Sequence, residues 1–249
     1  MRAKEISMRI TLLLSTGAAI AMIATGCGSD QSAALPQGSE TVQLDPADFT
    51  TEIDNRYWPM APGTRWVYRE TDAGGNEQRV VVTVTDETKE VMGIETRVVH
   101  DLVTEDGKPI EDTYDWYAQD ADGNLWYFGE ETKEFENGKV VSTEGSWEAG
   151  VDGAEPGVVV PGAAEVGMTY RQEYLAGEAE DAAAVLSLDE QVEAPQGSYR
   201  GVLMTKDFTP LHPEILEYKF YAQGVGPVVV LGVSGGIGRE ELVEYTRPQ

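Results

Sequence analysis

One cysteine, Cys27, and two histidines, His100 and His212, are all that the 249 residues offer of the side chains most used for metal and nucleophilic chemistry. A single thiol excludes an intramolecular disulfide, a multi-cysteine zinc site and a cysteine nucleophile within the folded part. Neither histidine falls in a His-Glu-x-x-His spacing, and no Gly-x-Ser-x-Gly is present, so the usual metalloprotease and serine-hydrolase signatures are missing. Basic residues are scarce as well, 18 against 44 acidic, for a net charge of −26. A nucleic-acid partner is excluded, because phosphate binding needs a basic footprint. Gly224-x-Gly226 and Gly235-Gly236-x-Gly238 lack the lysine or helix that completes a phosphate cradle, so no nucleotide cofactor is expected, and no other cofactor either. Long 3.6-residue periodicity is also absent, which argues against a helical fold.

What the chain does have begins at its N-terminus. Arg2, Lys4 and Arg9 precede an apolar run from Ile10 to Ile23, and small residues lead into Cys27. The run is short and broken by Ser15, Thr16 and Gly17, which suits an export signal better than a membrane span of roughly 20 apolar residues. Ala24-Thr25-Gly26-Cys27 resembles the lipobox of the bacterial lipoproteins, with Ala24 and Thr25 standing where Leu and Ala or Ser are commonest. The resemblance implies cleavage before Cys27, acylation of that cysteine and a membrane-lipid anchor. One acyl chain binds only marginally, whereas two or more hold. Residues 1–26 are therefore expected to be signal peptide and 27–50, rich in Gly, Ser, Pro and Gln, a flexible tether. Without the signal the net charge is −28. Acidic membrane surfaces repel such a domain, so attachment rests on the lipid.

From Ile53 onward short β-prone runs alternate with turn dipeptides. Trp66–Glu70, Arg79–Thr85, Ile94–Thr104, Ile110–Gln119 and Leu125–Gly129 are separated by Gly74-Gly75, Gly93, Asp106-Gly107 and Asp122-Gly123, and Asn137-Gly138 divides two further short runs. Asp-Gly and Asn-Gly between apolar runs are strong hairpin signals, because type I′ turns need positive φ. Shifting the sequence by 104 residues gives 9 identities over the 57 positions 63–119, with Tyr114-Asp115-Trp116-Tyr117-Ala118-Gln119 falling on Tyr218-Lys219-Phe220-Tyr221-Ala222-Gln223. The expected architecture is an all-β domain over 51–249, an antiparallel meander in two similar halves (about 63–129 and 167–233) forming a curved half-barrel or two facing sheets. The offset also places Ala184–Leu188, helical by composition, in a strand.

Two segments carry a further resemblance. Tyr57-Trp58-Pro59-Met60-Ala61-Pro62-Gly63-Thr64-Arg65-Trp66-Val67-Tyr68 and Tyr221-Ala222-Gln223-Gly224-Val225-Gly226 are similar to the opening and closing signatures of exported bacterial β-proteins of unassigned role. Met60 and Gln223 depart from the usual residues. The similarity implies a fold like the half-barrel lipoprotein carriers of the LolA type and brings no catalytic residue with it.

Candidate chemistry is correspondingly sparse. Asp120-x-Asp122-Gly123-Asn124 alternates oxygen ligands like a calcium loop, but its glycine falls fourth instead of sixth, which favours a hairpin turn. The aromatic residues are the main functional lead. Trp116, Tyr117, Trp126, Phe220 and Tyr221 lie on strands where consecutive residues face opposite sides, so part of this set is expected to line an apolar pocket within the curved sheet. The resulting expectation is a non-enzymatic envelope lipoprotein on the outer side of the cytoplasmic membrane, or in the outer membrane of a cell that has one. It would bind or carry an apolar or amphipathic molecule. The alternatives are a surface adaptor that recognises another envelope protein through an exposed sheet face or edge, which a flat aromatic patch would favour, and a carboxylate-dependent hydrolase, which a desolvated acid pair would favour.

Overall fold

The computed structural model describes residues 34–71, 74–235 and 238–248, so the export signal, Cys27 and residues 28–33 lie outside the described part. After one turn of 3-10 helix (Pro46–Asp48) the described chain is all β, as the turn spacing predicts. Its strands are β1 (Phe49–Thr50), β2 (Arg65–Thr71), β3 (Glu77–Val91), β4 (Ile94–Glu105), β5 (Lys108–Asp120), β6 (Leu125–Glu136), β7 (Lys139–Ser142) and β8 (Trp147–Glu148). There follow β9 (Glu155–Val160), β10 (Thr169–Arg171), β11 (Glu173–Tyr174), β12 (Ala182–Ala194), β13 (Gly197–Phe208), β14 (Leu216–Ala222), β15 (Gly226–Ser234) and β16 (Arg239–Thr246). Ala184–Leu188 is strand, paired to β13 at Ala184, Val185 and Ser187 with register shifts on either side of Ser187.

Turn chemistry sets these boundaries. Asp106 and Gly107 (φ 50° and 74°) and Asn137 and Gly138 (53° and 74°) both have the double positive φ of a type I′ hairpin. Met92 with Gly93 does the same work (53° and 79°), a turn that a methionine hides in the sequence. At Asp122-Gly123 only the glycine is positive, at 81°. The Asp120 carboxylate accepts from the backbone N–H groups of Asp122 (3.0 Å) and Asn124 (2.8 Å), from Asn124 Nδ2 (2.8 Å) and from Trp126 Nε1 (2.7 Å). Its oxygens are occupied in holding a wider turn, as the hairpin interpretation requires.

All pairings are antiparallel, in the order β10-β12-β13-β14-β15-β16-β2-β3-β4-β5-β6-β9-β11. The offset of 104 carries β2 to β6 onto β10, β12, β13, β14 and β15, and β16 joins the two series by pairing with both β15 and β2. The two ends of the sheet, β10 and β11, are separated in sequence by Gln172 alone. The sheet must therefore curl until its edges meet, giving a nearly closed barrel with one seam. Gly157 of β9 fits against the backbone there: a Cβ would lie 2.4 Å from the Gln172 carbonyl, so only glycine allows the approach.

Residues 34–50 are not a tether. Pro36 is buried, and Leu35, Val42, Leu44 and Phe49 pack on the core. The Pro36 carbonyl accepts from Arg171 N–H (2.7 Å), and β1 pairs with the end of β5. The Arg171 guanidinium, 2% exposed, donates through Nη1 to the Gly38 and Glu40 carbonyls and through Nη2 to the Pro156 carbonyl, each at 2.8 Å. One buried side chain thus straps the arm across β9 and β10. Composition misleads here because these small and polar residues act mainly through their backbone carbonyls.

Candidate functional site

Residues 51–64 close one end of the barrel. Asn55, 3% exposed, accepts through Oδ1 from the N–H groups of Tyr57 (2.9 Å) and Trp58 (3.2 Å). Its Nδ2 donates to the carbonyls of Gly123 (2.8 Å) and Val160 (3.3 Å). Across the mouth, Gly224 N–H donates to the Arg56 carbonyl (2.8 Å), and Trp66 Nε1 to the Val225 carbonyl (2.7 Å). The two signature segments of the sequence therefore meet in space. Gly226 (φ 117°) is where they touch, since a Cβ there would come within 2.7 Å of the Trp58 ring. Trp58 is held between Tyr117 (5.8 Å) and Tyr221 (6.0 Å).

Beneath Trp58 lies a cavity of about 430 Å³ inside the barrel, within the roughly 300–1,000 Å³ of small-molecule sites. Tyr68, Tyr117, Tyr127 and Tyr221 give it aromatic walls, and Val80, Val82, Val99, Val159 and Val230 add aliphatic surface. Of the five residues singled out in the sequence, Tyr117 and Tyr221 reach the cavity. Trp116, Trp126 and Phe220 do not, because each is adjacent to an inward-facing residue and so points to the other face of its strand. Trp116 is covered by Lys89, whose Nζ lies 3.1 Å from the ring centre while it pairs with Glu148 (2.7 Å). Trp126 and Phe128 are covered by Phe49 of the arm, edge-on at 6.0 and 5.6 Å.

Sequence reasoning missed the charge of the interior. Six carboxylates reach the cavity, Asp101, Asp115, Glu130, Glu173, Asp181 and Glu240, against one ammonium, Lys219. That ammonium is already paired with Asp207, at 3.1 Å. Burial works against the Lys219 charge, but Asp207, Tyr221 and Glu217 outweigh it and hold its pKa well above the usual lysine range. Burial first, then repulsion from Glu111, Glu130 and Glu70, raises Asp101 to about 7. Glu240 rises to about 8, through burial and then Asp101 and Glu70. Glu173 also rises to about 8, through burial and then Asp181 and Glu130. The Tyr127 hydroxyl lies 2.8 Å from both Asp115 Oδ1 and Glu130 Oε2. A phenol has one proton to give, so a proton on one of the carboxyls is needed to satisfy both contacts. Burial accordingly pushes Asp115 well up and Glu130 to about 7. Asp101 Oδ1 and Trp58 Nε1, both on the cavity wall, are sealed from solvent and have no hydrogen-bond partner in the protein.

The two histidines stay apart from this site. His100 Nε2 meets Asp112 Oδ1 at 2.5 Å and its ring stacks on Tyr114 (4.6 Å), while the exposed His212 faces Glu214 at 3.4 Å. Among the described residues, no group of three or more His, Cys, Asp or Glu is arranged to hold a metal ion. A signal for the acidic interior is hard to find in the sequence. In β4 Thr96 to Val99 are all buried, so no in-and-out alternation says which way Asp101 points.

No known protein family matches the sequence, and no curated protein does. Two solved structures are similar over most of the chain. One is a protein described as exported, with a YmcC-like fold, from Bacteroides fragilis NCTC 9343: 14% identity, TM-score 0.45, covering 78% of this chain and 100% of that one. The other is a protein described as a lipoprotein from Parabacteroides distasonis ATCC 8503: 13% identity, TM-score 0.43, covering 77% of this chain and 99% of that one.

Proposed function

We propose that this is a lipid-anchored protein of the bacterial cell envelope, held to the membrane through acylated Cys27, whose barrel binds an amphipathic small molecule. The observation that carries the binding reading is the interior cavity of about 430 Å³, walled by tyrosines and lidded by Trp58. A core meant only for stability would be filled to the density of organic crystals. A space of this size, with a buried donor and a buried acceptor without partners among its lining residues, has the dimensions and the polar handles of a ligand site. The anchoring reading rests on the export signal and the Ala24-Thr25-Gly26-Cys27 run.

The other two readings lose ground. For an adaptor, the aromatic side chains Trp116, Trp126 and Phe128 offer no docking face, at 5%, 6% and 0% exposed, which leaves that reading the sheet edges. The hydrolase reading has the Asp115–Glu130 pair in its favour. Both carboxyls converge on one hydroxyl, however, and hydrogen-bond to each other, nearer together than the roughly 5–5.5 Å of a retaining or 6.5–9.5 Å of an inverting glycosidase.

Native mass spectrometry of the protein purified from its envelope without detergent tests the binding reading. A co-purifying small molecule that is lost when Tyr117→Trp fills the cavity is the expected result. A clean apo mass, with no thermal shift across a panel of lipids, amines and glycans, counts against it. Labelling with a radioactive or clickable fatty acid, present in the wild type and absent in Cys27→Ala, checks the anchor.

A further inference from the structure

The cavity has a chemical bias that its aromatic walls alone do not convey. Six carboxylates and one already-paired lysine surround a volume that would fit a small organic molecule. Asp101 shares the cavity wall with Glu130 and Glu240, and repulsion links it to each of them. Its Oδ1 is out of contact with water and receives no hydrogen bond from the protein. A buried carboxylate oxygen without a donor is costly to maintain, and Asp101, the residue that carries it, lines the cavity. The complementary ligand group is a donor that carries positive charge. The tyrosine and tryptophan faces of the same cavity suit it too, because the negative face of an aromatic ring attracts a cation.

Building on the binding reading above, we infer that the cavity selects an organic cation, an apolar body bearing a protonated amine, with the ammonium donating to Asp101 beside Glu240 and the body lying against Trp58, Tyr117 and Tyr221. An anionic amphiphile such as a fatty acid would place its carboxylate among six others. A neutral one, such as an alcohol, can donate to Asp101 but brings no charge to offset the carboxylates around it. The raised pKa values of Asp101 and Glu240 support the assignment, since a cation arriving between them returns both to the ionised form and releases protons.

The probes are three molecules with one apolar body and different heads: n-octylammonium, octan-1-ol and octanoate, titrated into the purified full chain at pH 8 with intrinsic tryptophan fluorescence and calorimetry as readouts. Octylammonium is expected to bind at least about tenfold more tightly than octanol, a difference of about 1.4 kcal/mol, and octanoate more weakly still. Its binding heat should vary with the ionisation enthalpy of the buffer, which reports released protons, whereas that of octanol should not. Asp101→Asn, which keeps shape, should lower octylammonium affinity about tenfold and leave octanol unchanged. Glu240→Gln should lower it by a smaller factor and serves if the first variant does not fold. Octanol or octanoate binding as tightly as octylammonium overturns the cation assignment and leaves the cavity reading standing. Binding of none of the three overturns both.

Discussion

Among the places where charge is buried in this barrel, the seam and the cavity are treated in opposite ways. At the seam the Arg171 guanidinium is answered through its two terminal nitrogens by three backbone carbonyls, those of Gly38, Glu40 and Pro156, and only its Nε has no partner. In the cavity Asp101 Oδ1 has no donor, and the carboxylates around it repel one another. Burying a charge is tolerable when its hydrogen bonds are satisfied and expensive when they are not. The seam is therefore built for holding the molecule shut. The cavity gives up stability, which on the proposed binding reading a ligand would restore.

The largest effect should come from breaking the satisfied site. Arg171→Ala leaves three inward carbonyls without a donor and is expected to cost about 3–5 kcal/mol. For a domain of this size that lowers Tm by on the order of 10 °C. Hydrogen exchange should show residues 34–44 released before the strands. A loss below about 1 kcal/mol would erase the contrast between the two regions.

Next comes pH. Asp101 and Glu130 are raised to about 7, and Glu173 and Glu240 to about 8, from ordinary values near 4. Between those limits the folded state binds more protons than the unfolded one, so stability falls as pH rises. Tm of the ligand-free protein is thus expected to be highest near pH 5 and to drop by several degrees by pH 8.5, since each unit of displacement is worth about 1.4 kcal/mol. A Tm that climbs over this interval would mean that the interior carboxylates are answered after all.

The smallest effect is the most specific. Asp101→Asn removes an unsatisfied charge and should stabilise the ligand-free protein at pH 8 by about 1–3 kcal/mol, read by chemical denaturation. Destabilisation of that size would show that Asp101 has a structural partner.

How far these regions could be read from the sequence follows from the kind of signal each one leaves. Asp106-Gly107 and Asn137-Gly138 declare their turns because positive φ restricts the residue choice, and the fold class follows from them. The aromatic strands announce themselves, but not which face is which. Trp116 and Tyr117, or Phe220 and Tyr221, are adjacent aromatics on opposite sides, and a one-residue error of parity exchanges wall for exterior. The acidic lining is concealed by composition, since Asp101 and Glu240 are two among 44 acidic residues, nearly all of which ordinary solvation would explain. The arm at 34–50 was misleading for the reverse reason. Its ordering depends on Arg171, more than 120 residues away, and on carbonyls that every residue type carries.

β16 (Arg239–Thr246) separates the two series of strands in space yet follows every other strand in sequence. Until it emerges, β2 and β15 have no common neighbour and each meander ends in an open edge able to pair with another molecule. The keystone is laid last, so assembly has to wait for the whole chain, as suits a polypeptide expected to be threaded across a membrane before it folds.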